Sequence, residues 1–142
     1  MQRSEIKLKF FLKLARVQAQ ITREFDRHGG PFGWTGFQVL YYLSAAPDKR
    51  MRRIDLADKL ALTASGITRM LLPMEKIGLV QREACAGDAR VSFVKLTAAG
   101  ARQLSECMED VELLSDELLL TPKDMKDLER FFALFPLGRI AA

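Results

Sequence analysis

Apolar residues at Ile6, Phe10, Leu14, Val17, Ile21 and Phe25 recur at steps of four, four, three, four and four. That period predicts a first amphipathic helix of about six turns, with Phe11, Ala15 and Gln18 broadening its stripe. Gly29-Gly30-Pro31 predicts its end. A helix this long exceeds what one small core needs, so part of it is expected to pack on another subunit. A second helix is expected from Thr35, with Gln38 as capping-box partner and Trp34 placed to staple onto Val39. It carries Val39, Leu40, Tyr42 and Leu43 and stops before Pro47, after which Asp48-Lys49-Arg50 reads as a turn.

Leu56, Ala57 and Leu60 mark the inner face of a short third helix, and Ala61-Leu62-Thr63 reads as a tight turn. Thr63 is a good N-cap for a fourth helix, with Leu62 and Ile67 in the staple positions. Ile67, Met70, Leu71, Met74 and Ile77 are expected to face inward, and Gly78 stands where a left-handed cap is wanted. Pro73 falls after the first turns, so a bend or loosening is expected there rather than a stop. Leu79 to Glu83 and Val91 to Leu96 alternate as strands, joined by the loop Cys85-Ala86-Gly87-Asp88.

Thr97 caps a fifth helix with a stripe through Leu104, Met108, Val111, Leu114 (or its neighbour Leu113) and Leu118. Thr121-Pro122 opens a sixth with Leu128, Phe131, Phe132 and Phe135, ended by Pro136-Leu137-Gly138. The order is four helices, a hairpin and two helices. Within 142 residues, the apolar stripes at the two ends have no evident partner except each other, and two copies interleaving them would form a helical bundle.

Composition is ordinary for a globular chain, with 49% hydrophobic and 28% charged residues. No apolar run approaches a membrane span, and Lys7, Lys9 and Lys13 break any leader-like pattern, so a cytoplasmic, non-membrane protein is expected. Cys85 and Cys107 form no disulfide framework and, with His28 the only histidine, lack metal-ligand spacing. No metal, cofactor or catalytic constellation is expected. His28 itself reads as a helix-end cation or cap.

The net charge of +4 is unevenly spread: residues 1–47, 48–102 and 103–142 carry +4, +5 and −5. A polyanion would be drawn to the middle of the chain and repelled by its end. The middle also holds the small and polar start of the fourth helix: Thr63, Ala64, Ser65, Gly66, Thr68 and Arg69. Small residues let a backbone approach the floor of a DNA major groove. Hydroxyls donate to phosphates or base edges, and an arginine can grip guanine through two hydrogen bonds. Arg90, in the loop after Asp88, is suited to a narrow minor groove. Arg52, Arg53 and Arg82 are expected at phosphates.

Taken in order, these residues resemble the MarR (multiple-antibiotic-resistance regulator) family of winged helix-turn-helix transcription factors. The matching positions are Leu56-Ala57 with Leu60, then Ser65-Gly66-Ile67-Thr68-Arg69, then Met74-Glu75-Lys76-Ile77-Gly78-Leu79-Val80. Asp88-Ala89-Arg90, Val94-Lys95-Leu96-Thr97 and Gly100 complete the pattern. Pro73 departs from the polar residue of many relatives. The resemblance implies a mainly α fold with a small β-hairpin wing, in which 34–97 is the DNA-binding domain. Residues 1–33 and 98–142 would then form the dimerisation helices. It also implies a homodimer that binds double-stranded DNA at a pseudo-palindromic operator. Such a dimer is usually a repressor, released by a small phenolic or lipophilic effector. In that family the aspartate matching Asp88 fixes the wing loop, and the arginine matching Arg90 enters the minor groove.

An effector site is expected where the first, second and fifth helices meet, lined by Phe11, Arg16, Trp34, Phe37, Tyr41 and Tyr42. The same aromatic spacing also suits plain core packing. Two other functions stay open on the residues alone: a winged module that binds a protein and no DNA, and a regulator gated by oxidation of Cys85. The peroxide-sensing branch of the family carries its reactive cysteine in the N-terminal helix, where this chain has none. Cys107 reads as buried packing.

Overall fold

A computed structural model of the chain describes residues 2–28, 30–118 and 125–135. It divides into two compact units, Met1–Asp110 and Val111–Ala142. The elements in order are α1 (Arg3–His28), α2 (Gly33–Ala45), a short 3-10 turn (Pro47–Lys49), β1 (Arg50–Arg52), α3 (Arg53–Lys59) and α4 (Ala64–Lys76). They continue with β2 (Val80–Cys85), β3 (Asp88–Leu96), α5 (Ala98–Leu118) and α6 (Met125–Phe132). Among the described residues no helix is long and apolar enough to cross a membrane.

The core of the first unit joins α2, α3, α4 and one face of the sheet. Val39, Leu40 and Leu43 meet Leu56, Ala57, Ile67, Leu71 and Met74, closed by Leu79, Val80, Val94 and Leu96. Two helix ends fix the angle between these elements. At the end of α4, Gly78 takes a left-handed φ of 81°. Leu79 N–H then donates to the Met74 carbonyl at 3.0 Å and Gly78 N–H to Glu75 at 3.1 Å, the pairing of a Schellman cap. The turn between α3 and α4 repeats it. Leu62 N–H reaches the Ala57 carbonyl at 2.9 Å and Ala61 N–H reaches Asp58 at 3.2 Å, with the non-glycine Ala61 held at φ 52°.

The sheet has three antiparallel strands in the order β1-β3-β2. Arg50 pairs with Lys95 and Arg52 with Phe93 across one edge of β3, while Val80 pairs with Leu96 and Glu83 with Phe93 across the other. Beside the sheet, Gly100 of α5 lies so close to the Leu79 carbonyl that a Cβ there would collide with it. The Thr97 hydroxyl accepts from Gly100 N–H at 3.0 Å and lies 2.6 Å from the Gly78 carbonyl, to which it donates.

Several expectations are corrected. The α2 helix starts at Gly33, not at Thr35, and no side chain at its N-cap position, Phe32, caps it. Instead the Asp26 carboxylate of α1 accepts from Trp34 N–H at 3.4 Å, so a tertiary acceptor replaces the local box. Trp34 packs edge-on against Phe25 at 5.0 Å. Arg50 belongs to a strand rather than a turn. Both hairpin strands run further than expected, leaving Ala86-Gly87 as the turn, with Gly87 at φ 102°. Ile77 is 55% exposed because the helix ends one residue earlier and the 3.6-residue period no longer applies. In the stripe of α5 the buried residue is Cys107, while Met108 is exposed. The loop at Gly30 lies against Gln103 and Cys107, which turns that face of the helix inward. The helix α4 continues through Pro73 to Lys76.

In the second unit, α6 carries Leu128 and Phe131 half-buried and Phe132 exposed, and the rings of Phe131 and Phe135 meet at 5.2 Å. The expected start of this helix at Thr121-Pro122 and its end at Pro136-Leu137-Gly138 lie outside the described residues, as do Gly29 and the His28 side chain.

Candidate nucleic-acid interface

The start of α4 is organised by Thr63. Its hydroxyl oxygen accepts from Gly66 N–H at 3.0 Å and shares a hydrogen bond with Ser65 Oγ at 3.2 Å. This satisfies one of the orphan donors of a helix N-terminus while the rest point outward, toward where an anion would sit. Thr63, Ala64, Ser65 and Arg69 are exposed, and Gly66 and Thr68 are half-buried. Thr68 donates back to the Ala64 carbonyl at 2.9 Å, which leaves its oxygen lone pairs available as acceptors. Arg69 makes no ion pair among the described residues.

Beside this helix start lies a recess of about 240 Å³ lined by Arg52, Arg53, Ile54, Ala64, Arg90 and Ser92 among others. Three arginines and no acidic residue are among its lining residues. They arrive from three elements: β1 contributes Arg52, the first turn of α3 Arg53, and the wing strand β3 Arg90. Like charges gathered in this way, with no carboxylate in the lining, make a local positive field that favours phosphate oxygens.

Two of the three cations are held differently. Arg52 donates from Nε and Nη2 to the two oxygens of Asp55 at 2.8 and 3.1 Å. That hydrogen bond first, and the carboxylate charge second, hold the guanidinium above its ordinary pKa. Arg90 is nearly free: its side chain is 96% exposed and sits 3.9 Å from Asp88. The stronger work of Asp88 is on the backbone, where Oδ1 accepts from Arg90 N–H at 2.9 Å. This braces the hairpin tip and aims Arg90 outward. Arg82, on β2, is paired with Glu75 of α4 at 3.5 Å.

The structure thus brings Arg53, Ala64 and Arg90 to one recess, with Thr63, Ser65, Gly66, Thr68 and Arg69 along the adjoining helix. Arg82 is tied to α4 through Glu75 and shares a narrow cleft with Arg53, Thr68 and Ser92. Arg52 and Ser92 join the recess through strand pairing, a signal no single stretch of sequence carries.

The aromatic candidates are split. Trp34, Phe37, Tyr41 and Tyr42 form a run of ring contacts at 5.6, 6.4 and 5.6 Å, with Phe25 at 5.0 Å from Phe37. Phe11 is 61% exposed and its ring meets Phe10 at 5.7 Å. At about 1.5 Å per residue, Phe11 and Arg16 lie about 14–21 Å along α1 from Phe25. They do not join the ring cluster within this unit. Cys107 is 3% exposed and accepts from Gln103 Nε2 at 3.5 Å, and Cys85 is half-buried in the hairpin.

Comparison with known proteins agrees with this geometry. A sequence model of the MarR family matches residues 33–92. The chain is 30% identical over 118 residues to the HTH-type transcriptional regulator MhqR of Bacillus subtilis (strain 168), covering 82% of this chain and 80% of that protein. In structure it is similar to Sco3205, a MarR family transcriptional regulator from Streptomyces coelicolor crystallised in complex with DNA. The TM-score is 0.76 at 25% identity, covering 92% of this chain and 83% of that one. It is also similar to the transcriptional regulator BldR from Sulfolobus solfataricus, with a TM-score of 0.81 at 25% identity over 94% and 96% of the two chains. The chain belongs to the MarR family of winged helix-turn-helix transcriptional regulators, which bind DNA and are not enzymes.

Proposed function

We propose that this regulator is a cytoplasmic homodimeric repressor of a pseudo-palindromic operator, released by a small effector. The observation that carries the DNA-facing half is the recess where Arg52, Arg53 and Arg90 meet beside the exposed start of α4. In this reading Thr63, Ala64, Ser65, Gly66, Thr68 and Arg69 enter the major groove. Arg90, braced through Asp88, enters the minor groove, and Arg52, Arg53 and Arg82 neutralise phosphates. For Arg82 this requires exchanging Glu75 for a phosphate. The DNA complex of Sco3205 supports the same use of the fold. Residues 34–97 act as the reading head, and 1–33 with 98–142 as the dimerisation region.

Support for the dimer comes from exposed apolar side chains in each unit: Ile6, Leu8, Phe11 and Leu12 on α1, and Leu113, Met125 and Phe132 in the second unit. Apolar surface of that density marks a contact with another molecule, and a second copy of the chain supplies it by two-fold symmetry. A dimer spaces two α4 helices one DNA turn apart, about 34 Å.

The test is binding of the purified chain to its own upstream DNA over a series of salt concentrations, with the footprint read at base resolution. Two half-sites a helical turn apart, and an affinity falling steeply as salt rises, are the expected result. Absence of duplex binding at low salt would instead favour a winged module that contacts a protein.

A further inference from the structure

The α4 helix buries one side and leaves the other open. Ile67, Leu71 and Met74 are its buried residues, at steps of four and three. On the opposite side Ser65, Arg69, Leu72 and Lys76 recur at steps of four, three and four, and all four are exposed. Steps of that size place side chains on one face of a helix. Ser65, Arg69 and Lys76 are polar or charged, as a surface in water requires. Leu72 is neither: it is 47% exposed and takes no part in the core. Pro73 beside it is exposed as well, so these two positions offer no side-chain hydrogen-bond donor or acceptor. A lone exposed leucine on an ordinary surface calls for no explanation. This one stands a turn beyond Arg69 on the same face, with a lysine a turn further on.

We propose that Leu72 is a specificity-determining residue that reads the C5-methyl group of a thymine in the major groove. The inference rests on the DNA-facing role proposed above for α4 and extends its reading face into a third turn. Base edges in the major groove present hydrogen-bond donors and acceptors, and the thymine methyl is the apolar group among them. An apolar side chain set against a polar edge strips its water and returns no hydrogen bond. Set against a methyl, it removes apolar surface from water on both partners. Leu72 therefore favours thymine by attraction and disfavours the other bases by desolvation. About 4.5 Å of helix axis separates Leu72 from Arg69, against a step of about 3.4 Å per base pair. The thymine is thus expected within about two base pairs of the position that Arg69 faces. Lys76, at the end of the stripe, suits a backbone phosphate at the edge of the groove.

The experiment titrates the full chain with a duplex carrying the footprinted operator. Each thymine of a half-site is replaced in turn by deoxyuridine, which pairs in the same way and lacks only the methyl group. One such replacement is expected to weaken wild-type binding by about three- to fivefold, the effect of one buried methyl. In Leu72→Ala the thymine and deoxyuridine duplexes are expected to bind alike, with the melting temperature unchanged. The salt dependence of that variant should match wild type, because no phosphate contact is lost. Leu72→Met, which keeps an apolar tip, is expected to retain the preference. If no thymine is sensitive to loss of its methyl, or if the preference survives in Leu72→Ala, the proposal is overturned while DNA binding by α4 stands. A changed oligomeric state in Leu72→Ala, with the preference intact, assigns the leucine to a protein contact and overturns it equally. A chain that binds no duplex at low salt removes the reading of α4 and the role of Leu72 together.

Discussion

At Ala61 the chain accepts a left-handed backbone without glycine, at φ 52°, because the helix-turn-helix corner needs that geometry to deliver Leu62 to the Ala57 carbonyl. A Cβ there costs about 1–2 kcal/mol. Ala61→Gly is therefore expected to raise stability by about 0.5–1 kcal/mol, once the greater chain entropy of glycine is offset, as read by urea denaturation. Arg90 poses the opposite case. Its side chain is 96% exposed, so Arg90→Ala is expected to leave the melting temperature unchanged. Loss of a specific contact should weaken duplex binding by about 1–3 kcal/mol, measured by titration at constant salt. Full affinity in that variant would remove the wing arginine from the interface. Thr63 as a cap and Gly78 as a left-handed helix end were both legible in the sequence, since each depends on neighbours only three or four residues away. Ala61 was not, because nothing local signals a strained alanine.

Among the elements, the long stripes of α1 and α4 and the alternation of β3 are readable because a helix or strand repeats its own signal several times. A three-residue strand repeats nothing, and so β1 (Arg50–Arg52) was missed; it exists only because β3 offers it an edge. The packing of α5 shows a second limit. Its sequence stripe passes through Met108, but Met108 is exposed and Cys107 buried, since contact with the Gly30 loop chooses the face. The α5 start is bound to the sheet through Gly100, where any side chain meets the Leu79 carbonyl. Gly100→Ala is expected to destabilise the fold by about 1–3 kcal/mol, the usual range for overpacking. Thermal melting checks this, and an unchanged midpoint would show that α5 can shift without loss.

For the whole molecule, exposed phenylalanine and leucine on α1 predict association. The purified chain is expected to elute as a dimer by light scattering. Phe11→Lys, at a position 61% exposed, is expected to remove about 1.5–3 kcal/mol of apolar burial and raise the dimer dissociation constant by at least about tenfold. Operator affinity should fall with it, because two half-sites are held by one scaffold. A wild-type chain that stays monomeric at micromolar concentration would remove both the dimer and the half-site spacing.

The sequence alone determined the order of helices and hairpin, the caps of α4, and the Asp88-Ala89-Arg90 tip, all of which are written in residues close together along the chain. Local propensity and periodicity act over that range, so they survive without knowledge of the rest. Tertiary structure decided what lies far apart in sequence: the Asp26 acceptor at the start of α2 and the buried face of α5. It also decided the convergence of Arg52, Arg53 and Arg90. Pairing Arg50 with Lys95 and Arg52 with Phe93 brings together charges and rings some forty residues apart. That closure depends on the packed core beneath the sheet and on no local pattern.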